Sequence, residues 1–168
     1  MSQVARFPNN QSFLNCLKEM RNFGGPAITT GLADDVVLAF LDEHPDLPVA
    51  VERAYDKFVA LQESHADLLA LAEGEQIARI HAGLTNFYAA DAVNPYVAVA
   101  GAGPWVITLK GAVVYDCGGY GMLGLGHVPS AVIDAMNQPH VMANIMTANV
   151  SQLPVFFSAS ARASRTAR

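Results

Sequence analysis

Apolar residues recur at helical spacing through most of residues 1–92, and the period then changes to that of strands. Phe13, Leu14, Leu17 and Met20 make one stripe, and Ser12 stands where a helix cap is expected. Gly24-Gly25-Pro26 should stop that helix. A second helix is expected from Asp34-Asp35, since acids suit the positive end of a helix. It carries Val36, Val37, Phe40 and Leu41 and should end near His44-Pro45. The third pattern is the clearest. Pro48 suits a first turn, and Ala54, Phe58, Leu61, His65, Leu68 and Ala72 recur at steps of three or four, with Tyr55 and Leu69 beside them. A further helix follows Gly74. His65 and His81 read as hydrogen-bonded helix residues rather than ligands.

Beyond residue 96 the chain reads as strands. Trp105, Ile107 and Leu109 alternate with Val106 and Thr108, Lys110-Gly111 is expected as a two-residue turn, and AVVYDC resumes as a strand. Lys110, at a hairpin tip, is read as a solvated charge. Pro129 opens a short helix that Pro139 ends, with Ser130 as its cap or in its first turn. There is no internal repeat. From Pro154 onward, small residues and arginines show no usable period, which reads either as a disordered terminus or as a foreign tail. The pattern predicts an α+β chain: a helical region over 1–92, a hairpin, glycine loop and helix over 93–152, and a tail over 153–168.

Composition narrows the function classes. Hydrophobic residues make up 52% and charged residues 15%, a balance that fits burial of surface against a partner or a larger domain. The net charge of -5 and pI near 5.4 argue against a nucleic-acid footprint. No apolar run approaches the ~18 residues of a membrane span. The N-terminus lacks a signal-peptide pattern, so a cytoplasmic location is expected. Cys16 and Cys117 have neither metal nor disulfide spacing and are expected as free, buried thiols.

Candidate chemistry gathers between Tyr115 and His140. Gly119-Tyr120-Gly121-Met122-Leu123-Gly124 matches the G-x-G-x-x-G spacing that brings backbone close to a pyrophosphate. Gly126, His127 and Pro129 break the helix that should begin there, and the acid expected about 20 residues further on is absent, so a nucleotide site is weakly supported. Cys117 and His127 can form a thiolate–imidazole pair only with a third orienting group, and none stands at a recognisable spacing. A structural role for His127 at the start of the helix, and for Asp116 as an acceptor for loop amides, is the simpler expectation.

In order along the chain stand Gly103, Trp105, Val106, Gly111, Tyr115 and Asp116, then a glycine-rich loop, then Gly126-His127-Val128-Pro129 and a helix ending near Gln138. This succession, from about Pro95 to Gln152, resembles the N-terminal hairpin and loop of class III pyridoxal-phosphate-dependent aminotransferases, with Thr108 where the family often has aspartate. The resemblance implies a dimeric fold type I enzyme that moves an amino group from an amino acid or amine to a keto acid. It implies that the loop borders the substrate pocket, with Tyr120, Met122, Gly119 and Gly121 as pocket candidates and Asp116, His127 and Pro129 as structural loop residues. Packing of the hairpin against the following helix is an equal reading for Tyr120 and Met122. The family's Schiff-base lysine lies downstream of the matched region, and Lys18, Lys57 and Lys110 occupy no such context. The expectation is therefore a chain inactive alone, with no stably bound pyridoxal phosphate. Its partner would be a second copy or the missing large domain, with no nucleic acid and no membrane. A non-catalytic dimerisation or assembly module is the alternative.

Overall fold

A computed structural model of the chain describes residues 7–83, 95–117 and 124–137. It divides into two units, Met1–Pro129 and Ser130–Arg168. The first contains helices α1 (Asn10–Asn22), α2 (Asp34–Glu43), α3 (Asp46–Ser64), α4 (Ala66–Leu69) and α5 (Glu73–His81), followed by strands β1 (Ala98–Ala102), β2 (Trp105–Thr108) and β3 (Val113–Tyr115). The α+β class is as the sequence pattern predicts.

Helix α1 is capped by Asn9, not Ser12. The Asn9 side chain accepts from the Ser12 backbone N–H at 3.1 Å, while the Ser12 hydroxyl donates back to the Asn9 carbonyl. Leu14, Leu17 and Met20 form its buried face. Helix α2 begins on the two acids and buries Val37 and Leu41, leaving Val36 exposed. Helix α3 buries Leu47, Ala50, Val51, Ala54 and Phe58.

The expected long third helix does not continue to Ala72. At His65 the backbone leaves the helical region (φ -143, ψ 43), and α4 begins as a separate turn. Just before the break, Ser64 donates its hydroxyl to the Ala60 carbonyl one turn back, a local competition that weakens a helix. The break redirects the chain so that the C-terminal carbonyls of α4 meet side chains from elsewhere. Helix α5 starts at Glu73, two residues earlier than expected, where the Glu75 carboxylate accepts from the Ala72 N–H at 3.1 Å, and it ends at His81.

The sheet is antiparallel, in the order β1-β2-β3, with a register shift between Ala98 and Ala100. Central strand β2 is buried on both faces, so its nearly unbroken apolar run, not its alternation, is the useful signal. Helix α3 packs across β1 and β2, and α1 packs on α3. Trp105, Ile107 and Val113 therefore share one core with Leu17, Leu41, Val51 and Phe58.

The β2–β3 hairpin is present, but its loop is Leu109-Lys110-Gly111 and not the expected two-residue turn. Thr108 N–H donates to the Ala112 carbonyl at 3.0 Å across the loop, and Gly111 N–H donates back to the Thr108 carbonyl at 2.9 Å. Gly111 sits at φ +70, the left-handed third position of such a loop, which a lone glycine can fill. A Cβ there would lie 2.5 Å from the Leu17 carbonyl oxygen, so the tip is pressed onto α1.

In the second unit, helix α6 spans Ser130–Met136, with Ser130 in its first turn as one of the two expectations had it. Among the described residues no helix is long and apolar enough to cross a membrane.

Candidate functional site

The end of β3 and the corner before α6 are drawn together by the residues that the motif reading singled out. His127 pairs with Gly103 through two backbone hydrogen bonds: His127 N–H to the Gly103 carbonyl at 2.6 Å and Gly103 N–H to the His127 carbonyl at 3.2 Å. The imidazole Nε2 of His127 lies 3.0 Å from Asp116 Oδ2, both side chains being about three-quarters buried. Asp116 is itself positioned by donation of its N–H to the Pro104 carbonyl at 2.7 Å. Thus Asp116 is the orienting partner of His127 that no sequence spacing reveals. It lies eleven residues away, and only the antiparallel return of β3 brings it there.

Gly103 occupies this junction for a steric reason. Its φ is +53, and a Cβ would overlap the Asp46 carboxylate at the start of α3. Next to it, Trp105 is fully buried with its ring centroid 5.1 Å from Tyr115, 5.3 Å from Phe40 and 5.6 Å from His44. Tyr115 remains 50% exposed, as are Val128 at 49% and Leu125 at 72%. Val128 also holds a left-handed φ of 52, an uncommon strain for a β-branched residue. Exposed apolar residues therefore flank Asp116 and His127 along the chain.

Of the pocket candidates, Gly119, Tyr120, Gly121 and Met122 lie outside the described residues. Asp116 and His127 come together, and Pro129 closes the first unit immediately before α6. Cys117 is exposed and Cys16 half-buried, so neither is the fully buried thiol expected. Asp116 holds the imidazole Nε2 and so supplies the orienting group that the spacing did not reveal, which leaves Nδ1 as the ring nitrogen open to a thiol. Among the described residues no group of three or more His, Cys, Asp or Glu is arranged to hold a metal ion.

The largest correction concerns Lys110. Far from being solvated, it is 2% exposed. Its Nζ donates to the carbonyls of Phe23 and Gly25, each at 2.9 Å, and of Leu69 at 3.3 Å. Burial lowers the pKa of this amine below its ordinary value, and the nearby Glu73 carboxylate opposes the shift. Glu73 is buried too, with Oε2 accepting from the N–H groups of Ile28 at 2.5 Å and Thr29 at 2.7 Å. One turn along α5, buried Gln76 donates to the carbonyls of Leu68 and Leu69 at 3.1 and 3.3 Å. Sequence reading missed this polar cluster. The available signal was a single lysine set inside the otherwise apolar run WVITLKGAVV.

No protein-family model, curated protein or solved structure matches the chain.

Proposed function

We propose that this chain is the N-terminal part of a class III pyridoxal-phosphate-dependent aminotransferase, and that it does not catalyse amino transfer by itself. The observation that supports the reading is the convergence of its motif residues. Gly103 is bridged to His127, Asp116 bonds His127, and Trp105 stacks edge-on with Tyr115. Residues that stand apart in the sequence thus form one contact set at the base of the glycine loop.

The residues present do not fit the cofactor. Pyridoxal phosphate needs a free amine for its aldehyde, with a carboxylate placed for the ring nitrogen. Lys110 is enclosed by three carbonyls, Lys57 is exposed on α3, and Lys18 is exposed on α1, 3.3 Å from Asp34. Borohydride reduction of the chain with pyridoxal phosphate, followed by peptide mass spectrometry, tests the inactivity. Only sparse, non-stoichiometric labelling of Lys18 and Lys57 is expected. A stoichiometric adduct on one lysine, together with measurable transamination, would sink the proposal.

The exposed Tyr115, Leu125 and Val128 favour a second reading, a non-catalytic assembly module that buries them against a partner. Sedimentation across a dilution series tests this reading. A compact monomer at every concentration counts against self-assembly.

A further inference from the structure

The Lys110 environment has the form of a ligand site. We propose that the carbonyls of Phe23, Gly25 and Leu69 make a cage for a primary ammonium group, and that the Lys110 side chain is its tethered ligand. An ammonium on an alkyl stem has three donors and no acceptor. Three carbonyl oxygens meet it at 2.9, 2.9 and 3.3 Å, one for each N–H.

The cage belongs to the helical part of the chain, whereas the ammonium arrives from the hairpin tip. Bonds that do not involve Lys110 hold the cage walls. Gly25 N–H donates to the Ala70 carbonyl at 2.9 Å, and Glu73 N–H donates to the Pro26 carbonyl at 3.0 Å. Gln76 Nε2 braces the Leu68 and Leu69 carbonyls from the other side. The walls are therefore positioned before the lysine is counted.

Negative charge lies near the cage and offsets part of the cost of burying an ammonium. The Glu73 carboxylate is 1% exposed and supplies negative charge. Glu73 Oε1 and Gln76 Oε1, one turn apart on α5, are buried acceptors without a hydrogen-bond partner. Both oxygens stay without a donor although Lys110 is in place, so this end of α5 carries spare acceptor capacity beside the cage. An amine held in this way is kept from attacking carbonyl compounds, whatever the chain's family.

Chemical rescue tests the proposal. Lys110→Ala removes the ligand and leaves room for its stem. Melting the full-length variant in propylammonium chloride should show a stabilisation that grows with concentration. For a chain of this size the rise is about 4 °C at ten times the dissociation constant. The unmodified protein should show no such rise. Tetramethylammonium chloride, which has no N–H, should not stabilise the variant at equal ionic strength. Equal shifts with both salts, or no shift at all, would overturn the proposal, as would an equal gain from potassium. Should Lys110→Ala fail to fold, acetylation of the unmodified chain decides the matter. Lys110 must react far more slowly than exposed Lys18 and Lys57, and equal labelling rates would show that the cage is not closed.

Discussion

Replacing Lys110 by methionine removes the ammonium while nearly preserving the length and volume of the side chain. The carbonyls of Phe23 and Gly25 lose a charge-assisted donor at 2.9 Å, whereas Leu69 keeps the Gln76 amide at 3.3 Å. A buried polar group that loses its partner costs about 1–3 kcal/mol, giving about 2–6 kcal/mol for the two. Methionine offsets part of this, because an ammonium no longer has to be desolvated. A net loss of about 3 kcal/mol follows, and at about 3 °C per kcal/mol the melting temperature should fall by about 9 °C. Urea unfolding measures the same loss as a shift of midpoint at constant slope. The pH dependence gives an independent sign. Burial lowers the folded-state pKa of Lys110 below 10.5, so the unfolded chain holds this proton more tightly than the folded chain. The stability contributed by Lys110 is lowest below its folded pKa and rises with pH until the unfolded value is passed. The gap between the unmodified protein and Lys110→Met should therefore widen as pH rises through the lowered folded pKa towards 10.5. Groups common to both chains cancel in that difference. A loss under about 1 kcal/mol, or a gap that narrows as pH rises, would refute the reasoning.

Gly111→Ala forces a Cβ to within 2.5 Å of the Leu17 carbonyl at a φ of +70 and should cost at least about 2 kcal/mol by thermal melt. Gly83→Ala, whose Cβ would meet nothing nearer than 3.7 Å, should change stability by less than about 0.5 kcal/mol, and equal losses at the two sites would contradict the packing described. Asn9→Ala should destabilise by about 1 kcal/mol in urea, more than Ser12→Ala, because Asn9 is the residue that caps α1. Asp34 is held below its ordinary value of 3.8 by the Arg21 guanidinium, with Lys18 adding to it. Its contribution is present above pH 3.8 and is lost as pH falls through the lower folded value, so Asp34→Asn should flatten the acid limb of the stability curve below pH 4. The pair is part-exposed, and the effect should stay under about 1 kcal/mol and shrink with added salt.

The sequence by itself determined which segments become helices and strands wherever an amphipathic stripe met a strong breaker. Leu14, Leu17 and Met20 before Gly24-Gly25-Pro26, and Val37 and Leu41 between Asp34 and Pro45, are such cases. There the apolar period and the stop signal are both local, and local chemistry suffices. It also set Gly103, Trp105, Tyr115, Asp116 and His127 in the order on which the family resemblance rests. Their contacts were another matter. The Asp116–His127 pair exists because β3 returns beside β2 and the corner then closes on Gly103. The break at His65 was hidden because the apolar spacing runs through it unchanged from Phe58 to Ala72. Only the fold decided the fate of Lys110. At a hairpin tip a lysine is ordinarily solvated, and the apolar run around this one does not say which groups would receive its ammonium. Burial required α1 under Gly111 and the turned-back end of α4 beside it, so that carbonyls distant in the chain replaced the water an ammonium would otherwise keep.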